Sequence, residues 1–254
     1  MTLPRGTVAL AAIGLAVVGA GCSSGATTDA SATITVAAAA SLTDVFTTIG
    51  EDFTSSTGIP VRFTFAGSSA IAEQIRGGAP IDVFASAGTS SMTPLVEEQL
   101  IGGVIDFATN SLMIAVPPGN PGAVQSLEDL GGVSVVVCEE QVPCGVATAA
   151  LIDLNGLDIS PVSLEPDVRS VLTKIETDEA DAGIVYVTDV AAANGAVIGI
   201  AIPASANVST TYQAGVTADA QAADAAARFV AFLQQEQAQR LLADAGFAPL
   251  GATP

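Results

Sequence analysis

Two serines stand where an apolar strand runs into a helix. Ser41 lies in Val36-Ala37-Ala38-Ala39-Ala40-Ser41-Leu42-Thr43-Asp44-Val45-Phe46, and Ser68 in Phe63-Thr64-Phe65-Ala66-Gly67-Ser68-Ser69-Ala70-Ile71. At such a junction a serine oxygen can cap the helix by accepting a bond from a first-turn N–H. Its hydroxyl can instead join the free N–H groups of that turn and donate to an anion. One such junction is ordinary capping. Two of them, 27 residues apart in a strand–helix–strand stretch, point to a site for a small anion. Ser69 is a rival for the capping role beside Ser68. Two further helix starts offer donors, Pro143-Cys144-Gly145 and Pro166-Asp167-Val168-Arg169. Each proline sits just before its helix, where a missing N–H does no harm, and Gly145 would let the backbone approach a ligand closely. Tyr186, in Gly183-Ile184-Val185-Tyr186-Val187-Thr188-Asp189, ends a strand, where α/β folds place binding groups. Plain strand packing is the alternative for Tyr186. Tyr212 has no comparable setting and reads as structural. Arg62, Arg76 and Arg169 read as solvated surface residues.

The residues that are missing exclude much chemistry. The 254 residues contain no histidine. A Ser-His-Asp triad, a Cys-His dyad and a His-ligated zinc are therefore impossible. Lys174 is the only lysine and falls in a predicted amphipathic helix, which leaves a Ser-Lys dyad one poorly placed candidate. Gly-x-Ser-x-Gly occurs only at Gly21-Cys22-Ser23-Ser24-Gly25, where the N-terminal apolar run ends, and so makes no strand-to-helix elbow. The expectation is a protein that is not an enzyme and carries no cofactor. Charge excludes nucleic acid as a partner: 7 basic residues stand against 26 acidic ones, a net charge of −19, and nucleic-acid binding needs basic patches. The carboxylates are scattered, as on a solvated surface. An anion would have to be held locally, against the mean field.

The N-terminus reads as a targeting segment. Arg5 supplies a positive start, and Val8 to Val18 is an apolar run too short to span a bilayer stably. Gly19-Ala20-Gly21-Cys22 and the small polar residues after it resemble a bacterial lipoprotein signal, with Gly19 where an aliphatic residue is usual. Residues 1–21 are then a signal peptide, Cys22 the lipidated anchor to the cell membrane, and 22–31 a flexible tether. Simple secretion with an unmodified Cys22 is the alternative. Outside the cytoplasm the remaining pair, Cys138 and Cys144, reads as a disulfide rather than two free thiols.

From Thr33 onward strands and helices alternate, the pattern of a mostly parallel α/β sheet. Strands are expected at 33–38, 61–65, 82–86, 111–116, 133–138, 183–187 and, briefly, 215–216. Helices are expected from Leu42 to Gly58, from Ser68 to Gly77, and over 91–99, 145–155 and 167–177. A short one is expected around Leu127, and 219–245 should be mostly helix.

In these segments the chain resembles the extracytoplasmic molybdate-binding proteins of ABC transporters. The likeness rests on Val36–Val45, Phe65–Ile75, Gly78-Ala79-Pro80-Ile81-Asp82-Val83-Phe84-Ala85-Ser86, Val142–Gly145, Asp167-Val168-Arg169, Ile184–Asp189 and Ala245-Gly246-Phe247, in family order over 33–248. The resemblance implies a two-lobed, type II periplasmic-binding-protein fold, with lobe one at 32–110 and 212–254 and lobe two at 111–211. It implies that Ser41 and Ser68 hold an oxyanion through hydroxyl and N–H, Cys144 and Val168 through N–H, and Tyr186 through its phenol. No residue would ligate the metal directly. The implied ligand is molybdate, with tungstate alongside, and the implied partner is a membrane permease; a monomer is expected. Sulfate or ferric iron is the alternative cargo. Cys144 departs from the small residue usual at its position, but a backbone contact survives that change.

Overall fold

The structure, a computed structural model, describes residues 33–250 together with Met1 and Thr2. The expected signal peptide, tether and Cys22 lie outside the described residues. Three strand–helix units open the fold: β1 (Ile34–Ala39) and α1 (Thr43–Thr57), β2 (Val61–Ala66) and α2 (Ser68–Arg76), β3 (Val83–Ser86) and α3 (Thr89–Glu97). β1 pairs in parallel with β2 and with β3. Its near-continuous burial matches its apolar run, because a parallel strand between layers is covered on both faces. α1 ends where Gly58 takes a left-handed φ of 73°, and its N–H caps the Thr54 carbonyl.

A long strand, β4 (Ile101–Val116), then crosses the molecule. After β4 come β5 (Val135–Cys138), α4 (Pro143–Asn155), β6 (Ser163–Glu165), α5 (Val168–Glu176), β7 (Ala182–Tyr186), α6 (Val187–Ala192), β8 (Ile198–Ala201), β9 (Ser209–Thr217), α7 (Ala223–Phe232) and α8 (Glu236–Asp244). β4 pairs antiparallel with β9 over Ile101–Ser111 and with β7 and β8 from Leu112 onward. The strand order is β2-β1-β3-β9-β4-β7-β5-β6, with β8 also on β4.

Helices cover both sides. Phe46, Phe53 and Phe229 meet edge-on where α1 and α7 pack over the first half of the sheet. Ile71, Phe84 and Met92 form a smaller cluster on its other face. Beyond Leu112 a separate core gathers Ile114, Val136, Val171, Leu172 and Ile184. Among the described residues no helix is long and apolar enough to cross a membrane.

Several sequence expectations need correction. The sheet is mixed, not mostly parallel, because β4 and β9 run antiparallel through its middle. β4 starts ten residues earlier than the expected strand at 111, and β9 has 9 residues where two were expected. β6, α6 and β8 were not anticipated. The terminal helix is two helices, broken between Phe232 and Glu236.

Candidate functional site

Four chain turns and one strand end converge. Ser41 sits inside the single 3-10 turn Ala40–Leu42 that leads into α1. Ser68 is the first residue of α2, behind Gly67. Cys144 follows Pro143 at the start of α4. Val168 opens α5 behind Asp167, and Tyr186 closes β7. All five residues are buried and line one cavity of about 20 Å³, just above the roughly 10–15 Å³ that a single water needs. A larger groove of about 250 Å³ runs beside Gly88, Pro143 and Thr210 but does not collect these helix starts.

Several lining residues carry donors. First-turn N–H groups have no partner within their own helix. The first intrahelical bonds are Ile71 N–H to Gly67, Val146 N–H to Val142 and Val171 N–H to Asp167. The N–H groups of Ser68, Cys144 and Val168 precede them. Neither serine caps its helix. Ser68 Oγ instead accepts the Ala87 N–H at 3.1 Å, so its own proton is free to point elsewhere. Ser41 Oγ lies 2.8 Å from the Tyr212 hydroxyl. Tyr186 is 1% exposed, and its hydroxyl has no hydrogen-bond partner among the described residues; Thr210 stands nearby outside bonding geometry. Burial holds the Tyr186 phenol well above the ordinary tyrosine range, so it is a neutral donor.

Among the described residues no arginine or lysine lines the cavity. Asp167 lines the cavity too, but its carboxylate is turned to its own helix, accepting the Ser170 N–H at 3.0 Å and the Ser170 hydroxyl at 3.2 Å. Arg169, next to Val168, pairs with Asp44 and, at 3.1 Å, with buried Asp189. Asp189 also accepts the Tyr186 N–H at 3.0 Å and so fixes the end of β7. Burial raises the Asp189 carboxyl to about 7, with Arg169 opposing the rise. Arg76 pairs with Glu73 and Glu98, and Lys174 with Glu179, on the surface as expected.

The cysteines are joined as the Cys138–Cys144 disulfide. The Cys144 sulfur is thereby committed, which leaves its N–H for the cavity. Three sequence readings change. Gly145 does not serve a ligand: a Cβ there would lie 1.8 Å from the Glu139 carbonyl oxygen, inside the disulfide loop. Gly67 carries the comparable demand at the cavity, where a Cβ would lie 2.5 Å from the Pro166 carbonyl oxygen. Ser69 caps nothing and donates to the Gln141 carbonyl at 2.8 Å. Tyr212 is more than packing, because its hydroxyl meets Ser41 and Asn110. Only the alternation of β9, which turns Tyr212 and Ala214 inward, could have signalled it.

The chain matches the family of bacterial extracellular solute-binding proteins over residues 34–248. The molybdate-binding protein ModA of Mycobacterium tuberculosis is 41% identical over 225 residues, covering 87% of this chain and 86% of its own. Two solved structures share the fold. The Azotobacter vinelandii periplasmic molybdate-binding protein has a TM-score of 0.75 at 21% identity, covering 85% of this chain and 98% of its own. The Mycobacterium tuberculosis sulfate-binding protein SubI has a TM-score of 0.76 at 21% identity, covering 87% and 88%. Fold alone therefore does not choose the oxyanion. The chain belongs to the bacterial extracellular solute-binding proteins, in the family that includes the ModA molybdate-binding proteins.

Proposed function

We propose that this protein captures molybdate, and tungstate alongside it, outside the cytoplasm for an ABC importer. Two lobes, 32–110 with 212–254 and 111–211, close over the ion, and the closed form docks on the permease. Ser41 and Ser68 give hydroxyl and N–H, Cys144 and Val168 give N–H, and Tyr186 gives its phenol. Cys22 carries the lipid that keeps a monomeric receptor at the membrane. The change of partner along β4 near Ser111 supports the lobe boundary.

The observation that carries this reading is the buried Tyr186 hydroxyl, without a partner, at a cavity whose other donors are neutral. Helix N-termini and oriented N–H groups hold a dianion without a formal countercharge. With both Asp167 oxygens accepting from Ser170, a shell of donors rejects a protonated oxyanion, because an O–H facing no acceptor costs about 1–3 kcal/mol. That disfavours hydrogen phosphate. Ferric iron fits poorly: among the described residues no group of three or more Asp, Glu, Cys or His side chains could hold a metal ion.

Titration calorimetry on the mature protein tests the reading. Molybdate and tungstate should bind one per chain, and phosphate should give no heat. Phosphate binding as tight as molybdate would overturn it, and sulfate binding tighter than molybdate would move the assignment to sulfate.

A further inference from the structure

A chain of hydrogen bonds with a fixed direction stands behind Ser41. It starts at Asn110 on β4, whose Oδ1 accepts the N–H of Ser111 at 3.0 Å. Only the carbonyl end of an amide can accept there, so the orientation of this side chain is set. The Nδ2 end faces the other way and donates to Thr188 Oγ1 at 2.8 Å and to the Tyr212 hydroxyl at 3.4 Å. The Tyr212 oxygen is thus already an acceptor. The Tyr212 phenol is fully buried, and burial keeps it protonated. Its only other hydrogen-bond partner among the described residues is Ser41 Oγ, at 2.8 Å. Reversing that bond would strand the phenol proton in the core, at a cost of about 1–3 kcal/mol. Tyr212 therefore donates and Ser41 Oγ accepts, which leaves the Ser41 proton to point into the cavity.

We propose that Tyr212 and Asn110 are positioning residues that lock Ser41 as a donor toward the anion, and that this fixed polarity helps the site refuse protonated oxyanions. The proposal rests on the site reading above. A serine hydroxyl is otherwise free to rotate and present a lone pair, which a hydrogen phosphate O–H could use. With Tyr212 on one lone pair, presenting the other to the ion would turn the Ser41 proton away, where no acceptor stands among the described residues. Ser68 is held the same way by the Ala87 N–H, so both hydroxyls face the ion with fixed sign.

Tyr212→Phe removes the hydroxyl and keeps the ring that packs on Phe107, Tyr186 and Phe247. Calorimetry with sodium molybdate should show affinity about fivefold weaker, the fold-change of one ordinary hydrogen bond. Inorganic phosphate should displace molybdate from the variant at least fivefold more readily than from the wild type, relative to what the weaker molybdate binding alone predicts. Placed on Ser41→Ala, the same change should do nothing further to molybdate binding, because Tyr212 acts only through Ser41. Additive effects of the two substitutions, or unchanged molybdate affinity in Tyr212→Phe, would overturn the positioning role. Phosphate that gains no relative advantage would overturn the selectivity role. Wild-type protein that binds no molybdate would remove the site reading itself, whereas the other failures leave it standing.

Discussion

Replacing Tyr186 with phenylalanine should separate binding from stability. The hydroxyl is buried and unpaired among the described residues, and such a group costs about 1–3 kcal/mol. Deleting it relieves that cost, while the ring keeps its contact with Tyr212 at 6.0 Å between centroids. Ligand-free Tyr186→Phe should therefore melt no lower than the wild type, and up to several degrees higher. Binding should change in the opposite sense. A hydrogen bond to a charged acceptor contributes about 1.5–3 kcal/mol, so molybdate affinity should fall about 10- to 150-fold. At a molybdate concentration saturating both proteins, the ligand-induced rise in Tm should shrink by the same energy. That is about 3–12 °C for a chain of this size. Scanning calorimetry with and without molybdate gives both numbers. A variant that binds within twofold of wild type and melts lower without ligand would mean that Tyr186 only packs, and would refute the reasoning.

Three further outcomes follow from the same geometry. Ser68→Ala removes a donor and strands the buried Ala87 N–H, so it should weaken binding about 10- to 150-fold and lower stability by about 1–3 kcal/mol; Ser69→Ala should cost binding only a few-fold, and an equal loss in titration calorimetry would misplace the anion in that turn. Cys144→Ala, alone or with Cys138→Ala, opens a loop of sequence separation 6 and should lose roughly 2 kcal/mol of stability in urea while keeping most molybdate binding; abolished binding would mean that more than the Cys144 N–H is needed. Asp189 binds its proton more tightly in the folded protein, with its value raised to about 7, so between about pH 4 and 7 the wild type should lose stability with rising pH relative to Asp189→Asn; parallel stability curves for the two proteins would contradict that shift.

The five positions that meet at the cavity were more legible in the sequence than the sheet that carries them. Ser41, Ser68, Cys144, Val168 and Tyr186 each sit at a strand or helix end marked by local signals: Gly67, Pro143, Pro166, or an apolar run that stops. Such signals are short-range, so a linear reading finds them. β4 and β9 are different. Ile101-Gly102-Gly103 carries two residues poor in strand propensity, whereas Thr210-Thr211-Tyr212 of β9 favours a strand that the sequence reading left out. Which strand each pairs with is set by their shared antiparallel ladder, a long-range pairing that no local pattern announces. The role of Tyr212 was hidden for the same reason, because Ser41 is 171 residues away in the chain. Gly145 shows the converse failure. A glycine at a helix start invites a ligand explanation, while its actual neighbour is the Glu139 carbonyl, brought there by the disulfide loop.

The central claim is that neutral donors alone hold the ion, at the cavity shared by Ser41, Ser68, Cys144, Val168 and Tyr186. Crystals grown with molybdate, measured at the molybdenum absorption edge, locate the metal directly by its anomalous signal. The account predicts a single peak per chain in that cavity, with oxygens within hydrogen-bond distance of the Ser41, Ser68 and Tyr186 hydroxyls and of the Cys144 and Val168 N–H groups. A peak beside Arg62, Arg76 or Arg169 instead, or at a carboxylate cluster, would contradict it.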